Sequence, residues 1–386
     1  MAVALVISLV MFNTLLFAEG QRRTISGGSD AQQSGAMASY LVERLVRLGG
    51  SGLNQVSNLV GGCRLSLKTS ADVSLLPLPS GLAAPFNGLA GLTLRAAPVL
   101  IANGSGSSDD SATSTTPDAL IIMAGSSPGV INGFQGTSSA TASLAHVVNS
   151  VGLATGDLLV AVEQDGSSSL YGPTGLCRLA KVTSSVETDS SSACYRQSSD
   201  NCGQSVRVGG SLTASDGLAP GGTAYTGLTQ YADLGTAPIL QILALGPTPA
   251  TAADLRVYDI LDQSSTSLSD GVVNLQALYG LRDAGNTSNC VVTSWVAPVG
   301  SFNIATLTGT SGAASLARIC AIRLGLITRS ALQEKNAVDA PATWTMFADQ
   351  SGLSLSGTRT GTALKYRYRQ FDAVIPVRNM AMGSAS

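Results

Sequence analysis

The chain has 386 residues, enough for one large or two ordinary domains, and 22 basic against 24 acidic side chains give a net charge of −2. This balance excludes the positive field that nucleic-acid binding requires. The 44% hydrophobic content excludes wholesale disorder, although charged residues make up only 12%. The single histidine, His146, excludes metal sites built on two histidines and leaves one candidate base for a Ser–His–Asp mechanism. The composition favours an exported, β-rich surface protein over a cytosolic enzyme.

Residues 1–18 form an uncharged, largely apolar segment. As a helix they would extend about 27 Å, just enough to cross the apolar core of a bilayer. A cleaved signal peptide is less favoured because no basic residue precedes the apolar run, and a buried helix would need protein on every side. We therefore expect a membrane-spanning helix over 1–18.

The same helix is predicted to continue to residue 48 and to become amphipathic. Large apolar side chains recur at spacings of three and four and predict one packing face, which comprises Met37, Tyr40, Leu41, Leu45 and Leu48. Gly49-Gly50 supplies the stop signal. The expected organisation is a helix over 1–48, a loop-rich connecting region over 49–118 and a β-rich head over 119–386.

Short apolar runs bounded by Gly, Pro, Ser and Asp fill the head and predict strands. They are residues 119–123, 157–163, 176–183, 238–246, 254–261, 274–282, 317–328 and 365–378. Cys320, Ile322, Leu324 and Leu326 alternate with small or charged residues, as in a half-buried strand. Strands without intervening helices indicate an antiparallel sheet. The predicted fold class is α+β, with one long N-terminal helix packed on an antiparallel sheet.

The six cysteines have wide spacings and form no CxxC pair, which favours disulfides made in an oxidising compartment. Cys194 and Cys202 lie in one polar stretch and predict a local disulfide. The remaining four allow three pairings that the sequence does not separate: these are Cys63, Cys177, Cys290 and Cys320.

These residues carry a family resemblance. The apolar N-terminus, the YLVERLVRLGG segment, DGVVNLQALYGLRD (270–283), CAIRLGLITRS (320–330) and YRYRQFDAVIPVRNM (366–380) together resemble the PilW-type minor pilins of bacterial type IV pili. The resemblance implies a non-enzymatic structural protein without cofactor or small-molecule substrate. It also implies a coding region that begins upstream of Met1, with a basic leader, a Gly and a Glu.

The resemblance further implies partners and a location. The expected partners are other minor pilins and the major pilin, through the N-terminal helix, and the inner-membrane assembly machinery. The expected location is the bacterial inner membrane, with the head in the periplasm, and later the extracellular pilus. The alternative is a membrane-anchored adhesin or binding module whose Ser/Gly-rich head meets a surface. An adhesin of that kind would stay in the membrane, whereas a pilin would move into filaments.

Three further motifs carry weaker signals. Relatives often have an ion-binding turn after the LQxxYG element, but here Asp283 is its only acid, so a plain turn is favoured over a calcium site. Residues 125–129 read GxSxG after a strand, yet poor helix material follows and no Asp lies between the motif and His146, which disfavours a hydrolase. A C-terminal row of Arg367, Arg369 and Arg378 is expected to be the solvated side of an edge strand rather than a partner site.

Overall fold

The structure is a computed structural model. It describes residues 2–53, 62–68, 74–105, 116–126, 133–135, 144–148, 150–163, 176–183, 187–188, 204–207, 229–246, 254–283, 290–309, 312–338 and 341–377.

The N-terminal helix α1 runs from Ala2 to Leu48 and contains no proline. It continues without a break through the Gly27-Gly28 pair, although glycine weakens a helix. The helix ends where Gly50 adopts a left-handed backbone conformation, with φ of +82°. The amide of Gly50 then donates to the Met123 carbonyl at 2.7 Å, which joins the helix end to the head.

Strands dominate the remainder of the described chain. In chain order they are β1 (Arg64–Lys68), β2 (Ser74–Leu76), β3 (Val99–Ala102), β4 (Ala119–Ala124), β5 (Phe134–Gln135), β6 (Leu144–Val147), β7 (Leu158–Glu163), β8 (Leu176–Lys181), β9 (Glu187–Thr188), β10 (Gln204–Arg207), β11 (Thr229–Asp233), β12 (Ile239–Leu245), β13 (Asp254–Asp259), β14 (Ser264–Asp270), β15 (Val272–Leu281), β16 (Ser294–Val296), β17 (Ile319–Arg329), β18 (Thr343–Met346), β19 (Leu355–Thr358) and β20 (Tyr368–Pro376). Two short helices, α2 (Ile304–Thr308) and α3 (Ala313–Leu316), lie between β16 and β17.

The described strands form five sheets. A six-stranded sheet has the order β2-β1-β8-β7-β11-β5, and a five-stranded sheet has the order β14-β13-β12-β4-β3. The C-terminal sheet has the order β16-β15-β17-β20, while β6-β10-β9 and the β18-β19 hairpin make two smaller sheets. The β1–β8 pair is parallel, and the other strand pairs described are antiparallel.

The C-terminal sheet is the middle layer of its region because β17 is covered on both sides. Leu324 and Leu326 pair with Ala373 and Phe371 of β20 and face the main core. On the opposite face, a Cβ at Gly325 would lie 2.8 Å from the Met346 sulfur atom of the β18-β19 hairpin. The predicted half-buried strand is therefore buried on both faces, because the hairpin folds over its second side.

The main hydrophobic core joins α1 to three sheets. Val42 and Val46 of α1, Ile121 of β4, Leu179 of β8 and Leu324 of β17 belong to one contiguous buried cluster. A second cluster lies under the hairpin and includes buried aromatic and apolar side chains, among them Trp344, Met346 and Phe347. The predicted connecting region, 49–118, contributes β1, β2 and β3 to this fold.

The predicted fold class is wrong in two respects. The strands belong to several sheets, one with a parallel pair, rather than to one antiparallel sheet under a helix. The second error is the transmembrane helix. Among the described residues, no helix combines the length and apolar character that crossing a membrane needs. The predicted span over 1–18 and the single-pass inner-membrane location are corrected accordingly.

A buried arginine joins distant parts of the fold. The Arg95 side chain is inaccessible to solvent and donates to three backbone carbonyls, those of Gly62, Thr308 and Gly309. Burial lowers the pKa of the guanidinium, and the nearby charge of Arg64 lowers it further. Arg95 thus ties the chain before Cys63 to the end of α2.

Replacing this side chain should weaken the fold. We expect Arg95→Leu to lower the free energy of unfolding by about 3 kcal/mol, because three backbone carbonyls lose a buried, charged donor. Arg44→Leu on the exposed side of α1 should change it by no more than about 0.5 kcal/mol. Urea denaturation of both variants measures the difference. Equal small changes would show that Arg95 does not hold these segments together.

Candidate assembly interface

The first part of α1 exposes large apolar side chains on every side of the helix. Seven of them are between 51% and 69% exposed: Leu5, Ile7, Leu9, Val10, Met11, Phe12 and Leu15. At 100° per residue these positions point in all directions around the axis. Leaving them in water costs roughly 10 kcal/mol or more in total. An apolar surface of this extent is typical of a site that another molecule covers.

The face by which α1 contacts the head differs from the predicted stripe. Its buried positions are Gly27, Ala31, Gly35, Ala38, Val42 and Val46. Of the predicted face, Leu41 and Leu45 are partly buried, whereas Met37, Tyr40 and Leu48 are exposed, Tyr40 to 60%. The signal missed in the sequence is the recurrence of small residues every three or four positions. The predicted stripe of large apolar residues coincides with the docked face only at Leu41 and Leu45, because close packing on a sheet favours the small side of the helix.

The closest contact between helix and sheet is at Gly35. A Cβ built there would lie only 2.0 Å from Cε2 of Phe371 in β20, so the ring occupies the space that any side chain would need. One turn earlier, the Thr328 hydroxyl of β17 donates to the Ala31 carbonyl at 2.8 Å. On the β14 side, the Ser269 hydroxyl donates to the Ser34 carbonyl at 3.3 Å. These contacts attach α1 to the C-terminal sheet.

A charged network joins the hairpin to the opposite face of the same sheet. Arg323 of β17 donates to Asp372 of β20 at 2.6 and 3.0 Å and to Asp349, after β18, at 2.8 Å. The guanidinium also lies over the Phe347 ring, 5.3 Å from its centroid. These hydrogen bonds lower the pKa of Asp349 and raise that of Arg323. The hairpin is therefore held by charge as well as by apolar packing.

Two disulfides settle the pairing that the sequence left open. Cys63, just before β1, is joined to Cys177 of β8, and Cys290 is joined to Cys320 of β17. The first lies beside the parallel β1–β8 pair and the second near the end of the C-terminal sheet. The predicted Cys194–Cys202 pair lies outside the described residues.

The remaining predicted site residues do not converge. Asp283 is exposed, and the turn that follows it, 284–289, lies outside the described residues. Groups of three or more metal-ligating side chains are absent from the described part of the chain. Ser126 accepts from the Ala237 amide at 3.0 Å beside the five-stranded sheet, whereas His146 lies on β6 of the small sheet. Residues 127–129 of the GxSxG motif are outside the described residues.

The arginines of the predicted C-terminal row do not share one environment. Arg367 donates to Glu334 at 2.6 Å, and its Cδ would lie 3.6 Å from a Cβ at Gly28 of α1. Arg369 is exposed on β20, and Arg378 lies outside the described residues. Arg367 therefore takes part in an ion pair where the helix passes the sheet.

Comparison with known proteins identifies the segment on which α1 rests. Residues 254–379 match the family model described as type IV pilus-assembly protein W, PilW. The matched range runs from β13 through β20 and includes the C-terminal sheet and the hairpin. The resemblance to PilW-type proteins is thus confirmed over this part of the chain and indicates a part in type IV pilus assembly. Neither the curated proteins nor the solved structures contain a match.

The contact at Gly35 gives a stability prediction with a matched control. Gly35→Val should lower the free energy of unfolding by about 2 kcal/mol, because the new side chain displaces the Phe371 ring. Gly20 lies in the same helix, and a Cβ there would meet nothing within 4 Å. Gly20→Val should therefore stay within about 0.5 kcal/mol of the parent protein. Thermal or urea unfolding compares the two, and equal losses would contradict close docking of α1 on β20.

Proposed function

We propose that this chain is a minor pilin, a non-enzymatic subunit that takes part in type IV pilus assembly through α1. The observation that supports the proposal most is the exposed apolar segment of α1, from Leu5 to Leu15, on a helix packed against a sheet that matches PilW. Helices of other pilus subunits, from minor pilins and the major pilin, are the partners that would cover this segment.

The contacts between α1 and the head support a rigid rather than a flexible attachment of the helix. The second half of α1 contacts β14, β15, β17 and β20, so the direction of its first half is set by the head. Apolar side chains on all sides of the first half suit a bundle in which several neighbouring helices surround it. Exposed Met37 and Tyr40 extend the apolar surface along the docked half of the helix.

A single pair of substitutions tests the role of this segment. Phe12→Asp should reduce the amount of the protein that copurifies with sheared pili at least tenfold, because packing against apolar helices would bury an unpaired carboxylate. Phe12→Leu keeps an apolar side chain and should copurify as the parent protein does. Phe12 is 63% exposed, so neither change should alter thermal unfolding of the isolated protein. Equal copurification of both variants would contradict the proposal.

Deletion of the gene separates assembly from adhesion. A minor pilin that supports assembly predicts fewer pili per cell when the chain is absent, restored by the parent sequence but not by Phe12→Asp. An adhesin predicts unchanged pilus number and reduced attachment to surfaces. Counting pili by electron microscopy, alongside an attachment assay, distinguishes the two.

A further inference from the structure

A cavity of about 360 Å³ lies away from the contacts that α1 makes with the head. Its lining comes from four parts of the chain: the ends of the β3–β4 connection, the middle of β15, the turn after β16 and the turn before β19. The cavity therefore lies where the five-stranded sheet, the C-terminal sheet and the hairpin meet.

The polar end of the cavity contains a buried carboxylate that has no counter-charge among the described residues. Asp118 is 1% exposed, and its two oxygens accept from the Gly104 amide at 3.0 Å and the Ala277 amide at 2.9 Å. Its own amide donates to the Leu275 carbonyl at 2.8 Å, which fixes it beside β15. No described residue forms an ion pair with it. Buried charges in proteins are normally paired, so this one stands out.

A second acceptor lies next to this carboxylate. Gln276, 4% exposed, uses its amide nitrogen to donate to the Thr116 carbonyl at 2.9 Å and to Asn274 Oδ1 at 3.1 Å. Its side-chain oxygen Oε1 accepts no hydrogen bond from the described residues. Asp118 and Gln276 therefore offer acceptors to a donor in the cavity, and both side chains are held in place by hydrogen bonds to the backbone.

Most of the remaining wall is apolar, although Asn103, Thr116 and Ser354 also line the cavity. Leu278 and Pro298 are buried, and Leu353 and Leu355 line the side formed by the hairpin. A divalent metal ion prefers several oxygen ligands, often with more than one carboxylate, and gains nothing from such walls. A cation that carries N–H donors at the end of an aliphatic chain matches both the polar end and the apolar side of the cavity.

We propose that this cavity binds an aliphatic ammonium or guanidinium group, with its cationic head at Asp118 and Gln276 and its stem along Pro298 and Leu355. The source is either a free amine or a lysine or arginine side chain of another protein. The proposal does not rest on the assignment to pilus assembly.

The titration of Asp118 gives the expected pH dependence. Burial raises the pKa of its carboxyl to about 7, although the two amides that donate to it act in the opposite direction. Among the described residues, Tyr279 also interacts with this carboxyl, and burial raises the pKa of Tyr279, so it stays neutral. A cation binds the ionised carboxylate, and its affinity should therefore fall as the pH decreases below 7.

The first measurement is a ligand-observed NMR titration of the full chain with n-butylammonium at pH 8. A ligand of this size should bind with a dissociation constant on the order of millimolar. The neutral isostere 1-butanol should bind at least tenfold more weakly, and n-butylammonium should bind several-fold more weakly at pH 5.5. Absence of binding, or equal binding of the alcohol, would overturn the proposal.

Two variants locate the binding to the cavity. Asp118→Asn should weaken binding of n-butylammonium at least tenfold, whereas Asp262→Asn, an exposed carboxylate in the β13–β14 turn, should leave it unchanged. Asn offers one acceptor oxygen where two amides need acceptors, so Asp118→Asn also removes a hydrogen bond within the fold. Val299→Trp therefore provides a second test that leaves Asp118 in place. Val299 is half-exposed in the lining, so a larger side chain there narrows the cavity and spares Asp118. Parent-like binding by a folded Asp118→Asn, or by Val299→Trp, would overturn the proposal.

A third ligand distinguishes the two sources. N-acetyl-lysine-N′-methylamide presents the same ammonium group within a short piece of polypeptide. Binding at least as tight as that of n-butylammonium would assign the site to a side chain of a partner protein. Binding at least tenfold weaker, with n-butylammonium still bound, would assign it to a free amine.

Discussion

The position of α1 relative to the head depends on the close approach of this helix to the C-terminal sheet. At Gly35 the helix has no side chain, and the Phe371 ring fills the space that one would occupy. Gly27, Ala31 and Ala38 continue the same narrow face. A helix this close can exchange hydrogen bonds with sheet side chains, as Thr328 does with the Ala31 carbonyl. The exposed apolar segment is therefore held at the end of a helix whose position the head determines.

The C-terminal sheet can hold the helix because it is packed on both faces. Alternate residues of β17 contact either the main core or the hairpin, and Gly325 leaves room for Met346 and Phe347. Phe347 has a left-handed backbone, with φ of +54°, which a bulky residue rarely adopts without support. Its buried ring and the neighbouring Arg323 network supply that support. The C-terminal sheet, which lies within the segment that matches PilW, is thus the layer to which α1, the core and the hairpin are all attached.

Sequence periodicity predicted local structure well and packing partners poorly. Alternation in β17 and the apolar run of β4 identified strands because side-chain direction in a strand depends only on neighbouring residues. The face by which α1 contacts the sheet was not predicted because the prediction followed large apolar residues. The contact with β20 instead requires a small residue at Gly35. The Cys63–Cys177 pairing joins residues 114 positions apart, beside a parallel strand pair that no local pattern indicates. Asp118 and Gln276 are likewise remote in the chain, so their cavity had no sequence signal.

Hydrogen bonding within the fold accounts for only part of the environment of Asp118. Two backbone amides need two acceptors, and a carboxyl group provides both, which explains why an acid rather than an amide occupies the position. This structural role would be complete in a closed, apolar pocket. It explains neither the open space beside the carboxylate nor the Gln276 oxygen without a donor from the described residues. A bound cation with N–H groups would donate to this oxygen and to the carboxylate together. The cavity is thus better explained by an external donor than by the internal hydrogen bonds alone.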